Sequence, residues 1–99
     1  MSAKLAALAQ AGAWDEALRL ARSLDADPAN EADGQVQFGC AQVFLAMDDK
    51  ARAAVCAARA VALLPGQAGP LMVRARLHAA SGNADASLAD LAAAARIAP

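Results

Sequence analysis

The side chains in this sequence that could carry out chemistry are few and widely spaced. One histidine, His78, and two cysteines, Cys40 and Cys56, are the candidates for a base, a nucleophile or a metal ligand. Catalysis would need such groups to converge with a proton acceptor and with donors that stabilise a developing charge. No second histidine accompanies His78, and free cysteines are commonly buried and unreactive. We therefore interpret all three as packing residues and expect the protein not to be an enzyme.

Metal, phosphate and cofactor sites are not indicated by the sequence either. The adjacent Asp48 and Asp49 could begin a cation site, but no further acidic residue follows at the spacing of a calcium-binding loop. The sequence has no glycine-rich phosphate loop and no zinc-ligand spacing. Asp49 fits a helix N-cap instead. We expect no catalytic residue, no cofactor and no metal.

Composition indicates a small all-α protein. The 99 residues suffice for one domain. Hydrophobic residues make up 59% of the chain but aromatic residues only 3%. Alanine, the strongest helix former, supplies most of the apolar content, so closely packed helices must replace large side chains in the core. Nine basic and ten acidic residues give a net charge of -1, which offers no attraction to nucleic acid or to an anionic membrane.

The sequence favours a cytoplasmic protein. Two cysteines without an evident export signal are typical of a reducing compartment. Residues 5–13 resemble a short signal peptide, but Gln10 interrupts the apolar run and cleavage there would remove the first predicted helix. No stretch approaches the roughly 18 consecutive apolar residues of a membrane-spanning helix.

Six helices are predicted from the 3.6-residue apolar period and from its start and stop signals. They cover residues 2–11, 14–24, 35–47, the segment between Asp49 and Pro65, 71–80, and 83 to the end of the chain. Gly12 and Gly82 end the first and fifth helices, and Asp49 and Asn83 cap the fourth and sixth. Residues 28–34 and 65–70 form turns. In the sixth helix we expect Leu88, Leu91, Ala95 and Ala98 to point inward.

One segment pattern occurs three times. Residues 48–65 contain an acidic turn, a helix with small residues seven positions apart, and a closing proline; residues 81–99 repeat the layout 34 positions later, and residues 12–28 give a slightly shorter copy. The positions that carry the pattern are Gly12, Trp14, Ala17 and Pro28 in the first copy, Ala53, Ala60 and Pro65 in the second, and Gly82, Ser87, Ala94 and Pro99 in the third. The pattern resembles the tetratricopeptide repeat, a helix-turn-helix unit of about 34 residues.

This resemblance covers the whole chain and implies a fold. It implies three antiparallel helix-turn-helix hairpins, stacked as a short right-handed superhelix or α-solenoid. The chain would be one domain over residues 1–99, with repeats near 1–31, 32–67 and 68–99. Small residues at the helix crossings, such as Ala53 and Ala60, would let the helices approach closely.

The resemblance also implies a binding surface, because the first helix of each hairpin lines a concave groove in this family. The groove would contain Gln35, Phe38, Gln42, Leu45, Met72, Arg76 and Ala79. We expect Phe38, Leu45 and Met72 to be exposed there, although Phe38 could instead pack into the stack. A largely apolar groove with Arg76 as its one cation suits a hydrophobic peptide or a partner helix. We expect Phe38→Ala or Arg76→Glu to weaken partner binding without unfolding the chain.

A second surface is predicted on the sixth helix, which has few charges. Repeat stacks usually end in a polar helix, whereas here four apolar residues lie on faces that the hairpin need not cover. They are Ala86, Ala89, Ala93 and Ile97. This lateral interface would meet a second copy, another subunit or further repeats of a longer protein, unless weakly apolar alanine surface is simply tolerated in water.

The functional expectation is therefore a protein-protein interaction module that binds a partner peptide or helix in its groove. Small bacterial chaperones and assembly adaptors with about three such repeats look similar. The alternative is a self-associating scaffold, or a piece of a longer repeat protein, that assembles through its sixth helix as a homo-oligomer or a hetero-complex. Nucleic acid and membranes are not expected as partners.

Overall fold

Helices and short turns alternate along the chain in the computed structural model, which describes residues 2–97. Within these residues there are six α-helices, one short 3-10 turn and no strand. The helices are α1 (Ser2–Gln10), α2 (Trp14–Ala26), α3 (Gly34–Ala46), α4 (Lys50–Leu63), α5 (Ala68–Ala80) and α6 (Ala84–Ile97), and the 3-10 turn is Pro28–Asn30. The all-α prediction is confirmed. Ala98 and Pro99, which the sequence assigned to the end of the sixth helix and of the third repeat, lie outside the described residues.

Two helix boundaries differ from the sequence-based prediction by more than one residue. Helix α2 continues to Ala26, and α5 begins at Ala68 instead of residue 71. Pro70 therefore lies in the first turn of α5, where its missing N–H group would have had no helical acceptor. The start of α3 is also capped: the Asp33 carboxylate accepts a hydrogen bond from the Val36 N–H at 3.2 Å. The predicted caps Asp49 and Asn83 are confirmed, each accepting from a backbone N–H three residues ahead.

The three turns that join α1 to α2, α3 to α4 and α5 to α6 have the same conformation. Each contains one residue with positive φ: Gly12 at 75°, Asp48 at 63° and Gly82 at 78°. After each of them, the next N–H donates to a carbonyl five residues back, at 2.8–2.9 Å. This is the hydrogen-bonding pattern of a left-handed helix C-terminus. The sequence repeat is therefore also a repeat of backbone geometry, and Asp48 fills a position where the other two copies have glycine.

The helices pack as three hairpins side by side. The short turns pair α1 with α2, α3 with α4 and α5 with α6, and α3 and α5 also pack against the second helix of the preceding hairpin. The first helices contact one another across the hairpins, α1 with α3 and α3 with α5. We call the exposed sides of α1, α3 and α5 the inner face. The radius of gyration, 12.8 Å, matches the value of about 13 Å for a compact domain of this length.

The core lies around α3 and is built from small residues with a few large ones between them. Ala53, Ala57 and Ala60 of α4 are fully buried, as predicted for the close helix crossing. The largest fully buried side chain is Phe44 of α3. Gln37 of α3 is also buried, and its amide donates to the Asn30 carbonyl at 2.9 Å. The polar Gln37 therefore ties α3 to the loop that precedes it.

Helix α6 is rotated relative to the prediction. Leu88, Leu91 and Ala95 were expected to point inward, but all three are exposed. The buried residues of α6 are Ser87, Asp90 and Ala94. The inward face is held by polar contacts to α5: the Ser87 hydroxyl donates to the Ala75 carbonyl at 2.9 Å, and Asp90 pairs with Arg74. These contacts turn the more hydrophobic stripe of α6 towards solvent.

Candidate binding surface

The inner face contains a pocket of about 330 Å³ between the first helices of the hairpins. Its walls are Leu5, Ala6, Ala9 and Gln10 of α1, Gly39, Gln42, Val43, Leu45 and Ala46 of α3, Val73 and Arg76 of α5, and Trp14 at the start of α2. Most of these side chains are apolar, with two amides and one guanidinium among them. This is the composition of a pocket that takes apolar side chains and orients them by a few polar contacts.

Three of the seven predicted groove residues line this pocket: Gln42, Leu45 and Arg76. Gln42 and Arg76 are exposed, whereas Leu45 is half-buried against the core. Arg76 makes no ion pair with any side chain in residues 2–97. The pocket therefore has one guanidinium available to a ligand carboxylate or carbonyl group.

The other four predicted groove residues do not line the pocket. Gln35, Met72 and Ala79 are exposed on α3 and α5, and the Met72 side chain is 46% exposed. The Gln35 amide donates to the Gln67 side chain at 3.4 Å, next to the start of α5. These residues extend the inner face beyond the pocket without joining it into one cavity.

Phe38 packs into the stack instead of being exposed, which was the alternative stated for this residue in the sequence analysis. It is half-buried against the core, and its ring contacts the backbone of α5 at Gly69, where an added Cβ would lie 2.5 Å from the ring Cζ. Phe38→Ala would therefore remove a contact between α3 and α5. Because the ring is part of the helix packing, weaker binding by Phe38→Ala would not by itself locate the ligand on this face.

Trp14 belongs to the pocket, although it was not among the predicted groove residues. It is 37% exposed and lines the pocket together with Gln10 of α1. One signal of this location was the position of Trp14 directly after the Gly12 turn. A side chain at the first position of a helix lies at the edge of a hairpin and not at its centre, where Ala17 and Ala21 are fully buried.

A charged cluster that the sequence did not predict joins α5 to α6. The Asp90 carboxylate receives two hydrogen bonds from the Arg74 guanidinium, at 2.9 and 2.8 Å, and His78 Nε2 lies 3.4 Å from the same carboxylate. The hydrogen bonds from Arg74 lower the pKa of Asp90. His78 thus lies between α5 and α6, as expected. The carboxylate is buried and saturated by its partners, so the cluster holds the hairpin together and offers no free base.

Both cysteines are fully buried, as predicted. The Cys40 thiol donates to the Ala21 carbonyl at 3.6 Å, and the Cys56 thiol donates to the Asp25 carboxylate at 3.5 Å. Burial raises the pKa of Cys40 to about 11 and that of Cys56 to about 12, and the Asp25 charge adds to both shifts. Because the thiolate is the reactive form, these groups are poor nucleophiles.

Because α6 is rotated relative to the prediction, only part of the predicted lateral interface is exposed. Ala89 and Ile97 are exposed, whereas Ala86 and Ala93 are half-buried. The larger apolar side chains on the open side are Leu88, 63% exposed, and Leu91, 45% exposed. The outer face of α6 is therefore more hydrophobic than predicted, and different residues form it.

The described residues contain no cluster of three or more histidine, cysteine, aspartate or glutamate side chains placed to hold a metal ion. Over the same part of the chain, every helix is too short or too polar to cross a bilayer. Comparison of the chain with protein-family models, with curated proteins and with solved structures finds no match.

Proposed function

We propose that this protein is a tetratricopeptide-like interaction module that binds an apolar segment of a partner protein on its inner face. The pocket between α1, α3 and α5 is the observation that carries this proposal. The proposal includes the right-handed stacking of the hairpins, a cytoplasmic location and a role as a small bacterial chaperone or assembly adaptor. It assigns no catalytic step to the chain.

Two features support a repeat module of this kind. The three hairpin turns share one backbone conformation, with positive φ at Gly12, Asp48 and Gly82. The first helices contact one another across hairpins and leave their free sides on a common face. A face made from successive repeats extends over several helices and suits an extended or helical peptide better than a compact small molecule.

The chemistry of the pocket defines the ligand. Its volume lies at the lower end of the range of roughly 300–1,000 Å³ for ligand pockets, so it accommodates anchoring side chains rather than a whole folded segment. Leu5 and Leu45 provide apolar walls, and Gln42 and Arg76 provide polar groups. The ligand is therefore a peptide with one or more aliphatic or aromatic anchors and a neighbouring carboxylate that pairs with Arg76.

Trp14 provides a direct assay, because it is the only tryptophan in the chain and lines the pocket. Peptides are selected from a displayed random library on the immobilised protein, synthesised, and titrated while the Trp14 emission is recorded. We expect the bound peptides to share apolar anchors and an acidic residue. We also expect them to shift the emission to shorter wavelength, since filling the pocket removes water from the indole ring.

Arg76→Glu tests the site, and Arg22→Glu is its matched control. Both arginines are exposed, but Arg22 lies on α2 and does not line the pocket. We expect Arg76→Glu to weaken peptide binding about tenfold or more, corresponding to roughly 1.4 kcal/mol, and Arg22→Glu to leave it unchanged. Equal affinities of the two variants, or selected peptides that leave the Trp14 emission unaltered, would refute binding in this pocket.

A further inference from the structure

The outer face of α6 presents a leucine stripe that the fold leaves uncovered. Leu88 and Leu91 are 63% and 45% exposed, and Ala84 and Ala95 are exposed beside them. These four residues follow one another at spacings of four, three and four residues, which is the spacing of a coiled-coil seam. The apolar residues therefore form one continuous strip along the helix.

Buried residues in the interior of the same molecule argue against a further hairpin as the cover of this strip. Leu91 occupies the position in its repeat that Ala21 of α2 and Ala57 of α4 occupy in theirs. Both alanines are fully buried. The next hairpin packs on both helices, α3 on α2 and α5 on α4, and the Cys40 thiol of α3 donates directly to the Ala21 carbonyl. A leucine at this position would hold a following helix farther away, because the distance between helix axes depends on the side chains at the contact. The outer face of α6 thus differs from the faces that receive a further hairpin.

The charges beside the strip are complementary to those of an antiparallel copy of the same helix. Asp85 and Arg96, both exposed, are separated by about three helical turns, so they lie on the same side of α6 at opposite ends of the strip. When two copies of α6 pack antiparallel about a two-fold axis, Asp85 of each copy lies opposite Arg96 of the other. In a parallel two-fold pair this side of each copy lies on opposite edges of the contact, so neither Asp85 nor Arg96 gains a partner of opposite charge.

The apolar residues fit the same arrangement. With Asp85 opposite Arg96 of the second copy, the two-fold axis passes close to Leu91, so Leu91 meets Leu91 of that copy and Leu88 lies between its Leu91 and its Ala95. All of these residues are exposed in the single chain. The leucines of both copies then form one apolar cluster at the centre of the contact, as the large side chains of a coiled-coil seam do.

From the strip, the complementary charges and the leucine contact across the axis, we infer that α6 is a two-fold interface through which two copies of this protein form an antiparallel dimer. The dimer is closed: each copy uses the same face, so association stops at two chains. The inner face and its pocket remain free on both copies, so this inference is independent of the proposed peptide binding.

Sedimentation equilibrium over a wide concentration range tests the dimer. We expect a monomer–dimer equilibrium in the wild-type protein, with no larger species. Leu88→Glu should weaken the dimer by more than about 100-fold, because two buried leucines are lost per dimer and two charges take their place. Val55→Glu is the control, since Val55 is exposed to a similar extent, 51%, but lies on α4. Circular dichroism verifies that each variant is folded.

A charge exchange tests the antiparallel geometry. Asp85→Arg and Arg96→Asp each place like charges at both ends of the contact, so each variant alone should dimerise about tenfold more weakly than the wild type. An equimolar mixture of the two variants restores opposite charges and should form mixed dimers more strongly than either variant forms its own. Leu91→Glu provides a second disruption of the apolar strip.

Four outcomes would overturn the inference. The first is a wild-type protein that stays monomeric at every concentration, and the second is association that grows beyond two chains. The third is a dimer that is unaffected by Leu88→Glu and Leu91→Glu, which would locate the contact elsewhere. A mixture of the charge variants that associates no better than the separate variants would exclude the antiparallel arrangement.

Discussion

The ion pair between Arg74 and Asp90 is the strongest polar contact between α5 and α6. Asp90→Asn should destabilise the protein by about 1–2 kcal/mol, measured by urea unfolding at pH 7. This is less than the roughly 3–5 kcal/mol for breaking a fully buried pair, because the Arg74 side chain is one-third exposed and water relieves part of the loss. The loss should be largest at neutral pH, where Asp90 is ionised.

The same pair sets a dependence of stability on pH. Arg74 lowers the pKa of Asp90 in the folded protein, so the pair stabilises the protein above the ordinary aspartate pKa of about 3.9. This contribution is lost as the pH falls from that value through the lower folded pKa. The Asp90→Asn variant should therefore lose less stability than the wild type on acidification. Asp15→Asn, which removes an exposed carboxylate of α2 and leaves the pair intact, should behave as the wild type does; an equal acid response of all three proteins would contradict this role.

The individual residues also show which features can be predicted from the sequence and which cannot. The burial of Cys40, Cys56 and the crossing alanines could be predicted, because small apolar residues at helical spacing have few other roles. The pairing of Arg74 with Asp90 could not, since it depends on how α6 is rotated against α5. The exposure of Trp14 was missed for a similar reason: the 3.6-residue period identifies a stripe but not its edge.

At the level of elements, the hairpin turns lead to a prediction, because one of the three has aspartate at the position where the other two have glycine. Asp48 has φ of 63°, a conformation that costs a side chain energy and glycine little. Asp48→Gly should therefore raise the free energy of unfolding by about 0.5–1 kcal/mol, and Gly82→Ala should lower it by about 1 kcal/mol. Thermal unfolding measures both, at about 4–8 °C per kcal/mol for a domain of this size.

Gly66→Ala is the control for the turn variants. Gly66 has open space at its Cβ position and does not adopt positive φ, so a methyl group there meets neither strain nor a neighbour. We expect this change to be neutral or slightly stabilising, because alanine restricts the unfolded chain. If Gly82→Ala were as well tolerated as Gly66→Ala, the positive φ of the turn would not contribute to stability.

Helix α6 explains why an element can be predicted while its orientation is not. Its sequence has two stripes of similar period, one with Leu88, Leu91 and Ala95 and one with Ser87, Asp90 and Ala94. Hydrophobicity alone favours burying the first stripe, and that prediction is wrong. The second stripe faces α5 because Ser87 and Asp90 find hydrogen-bond partners there. Such partners exist only in the folded hairpin, so no pattern within α6 could reveal them.

At the scale of the whole molecule, the helices differ in how many neighbours support them. Helix α3 packs against α1, α2, α4 and α5, and it buries Val36, Val43 and Phe44. Helix α6 packs mainly against α5, and two of its three buried residues, Ser87 and Asp90, are polar. The free energy that holds each helix in place should therefore fall from the centre of the stack towards α6.

Native-state hydrogen exchange measures this gradient directly, because amide protons exchange when the local structure opens. We expect the slowest exchange in α3 and the central part of α4, where opening requires most of the core to separate. The fastest exchange among helices α2 to α6 should occur in α6, which can detach by breaking its contacts with α5 while the other hairpins stay folded. Asp90→Asn should speed exchange in α6 and in the neighbouring part of α5 but leave α3 unchanged.

Equal protection in α3 and α6 would mean that the three hairpins open only together, as a single cooperative unit. Protection of α6 that rises with protein concentration would be the expected effect of the α6 dimer, since association shields this helix and adds to its stability.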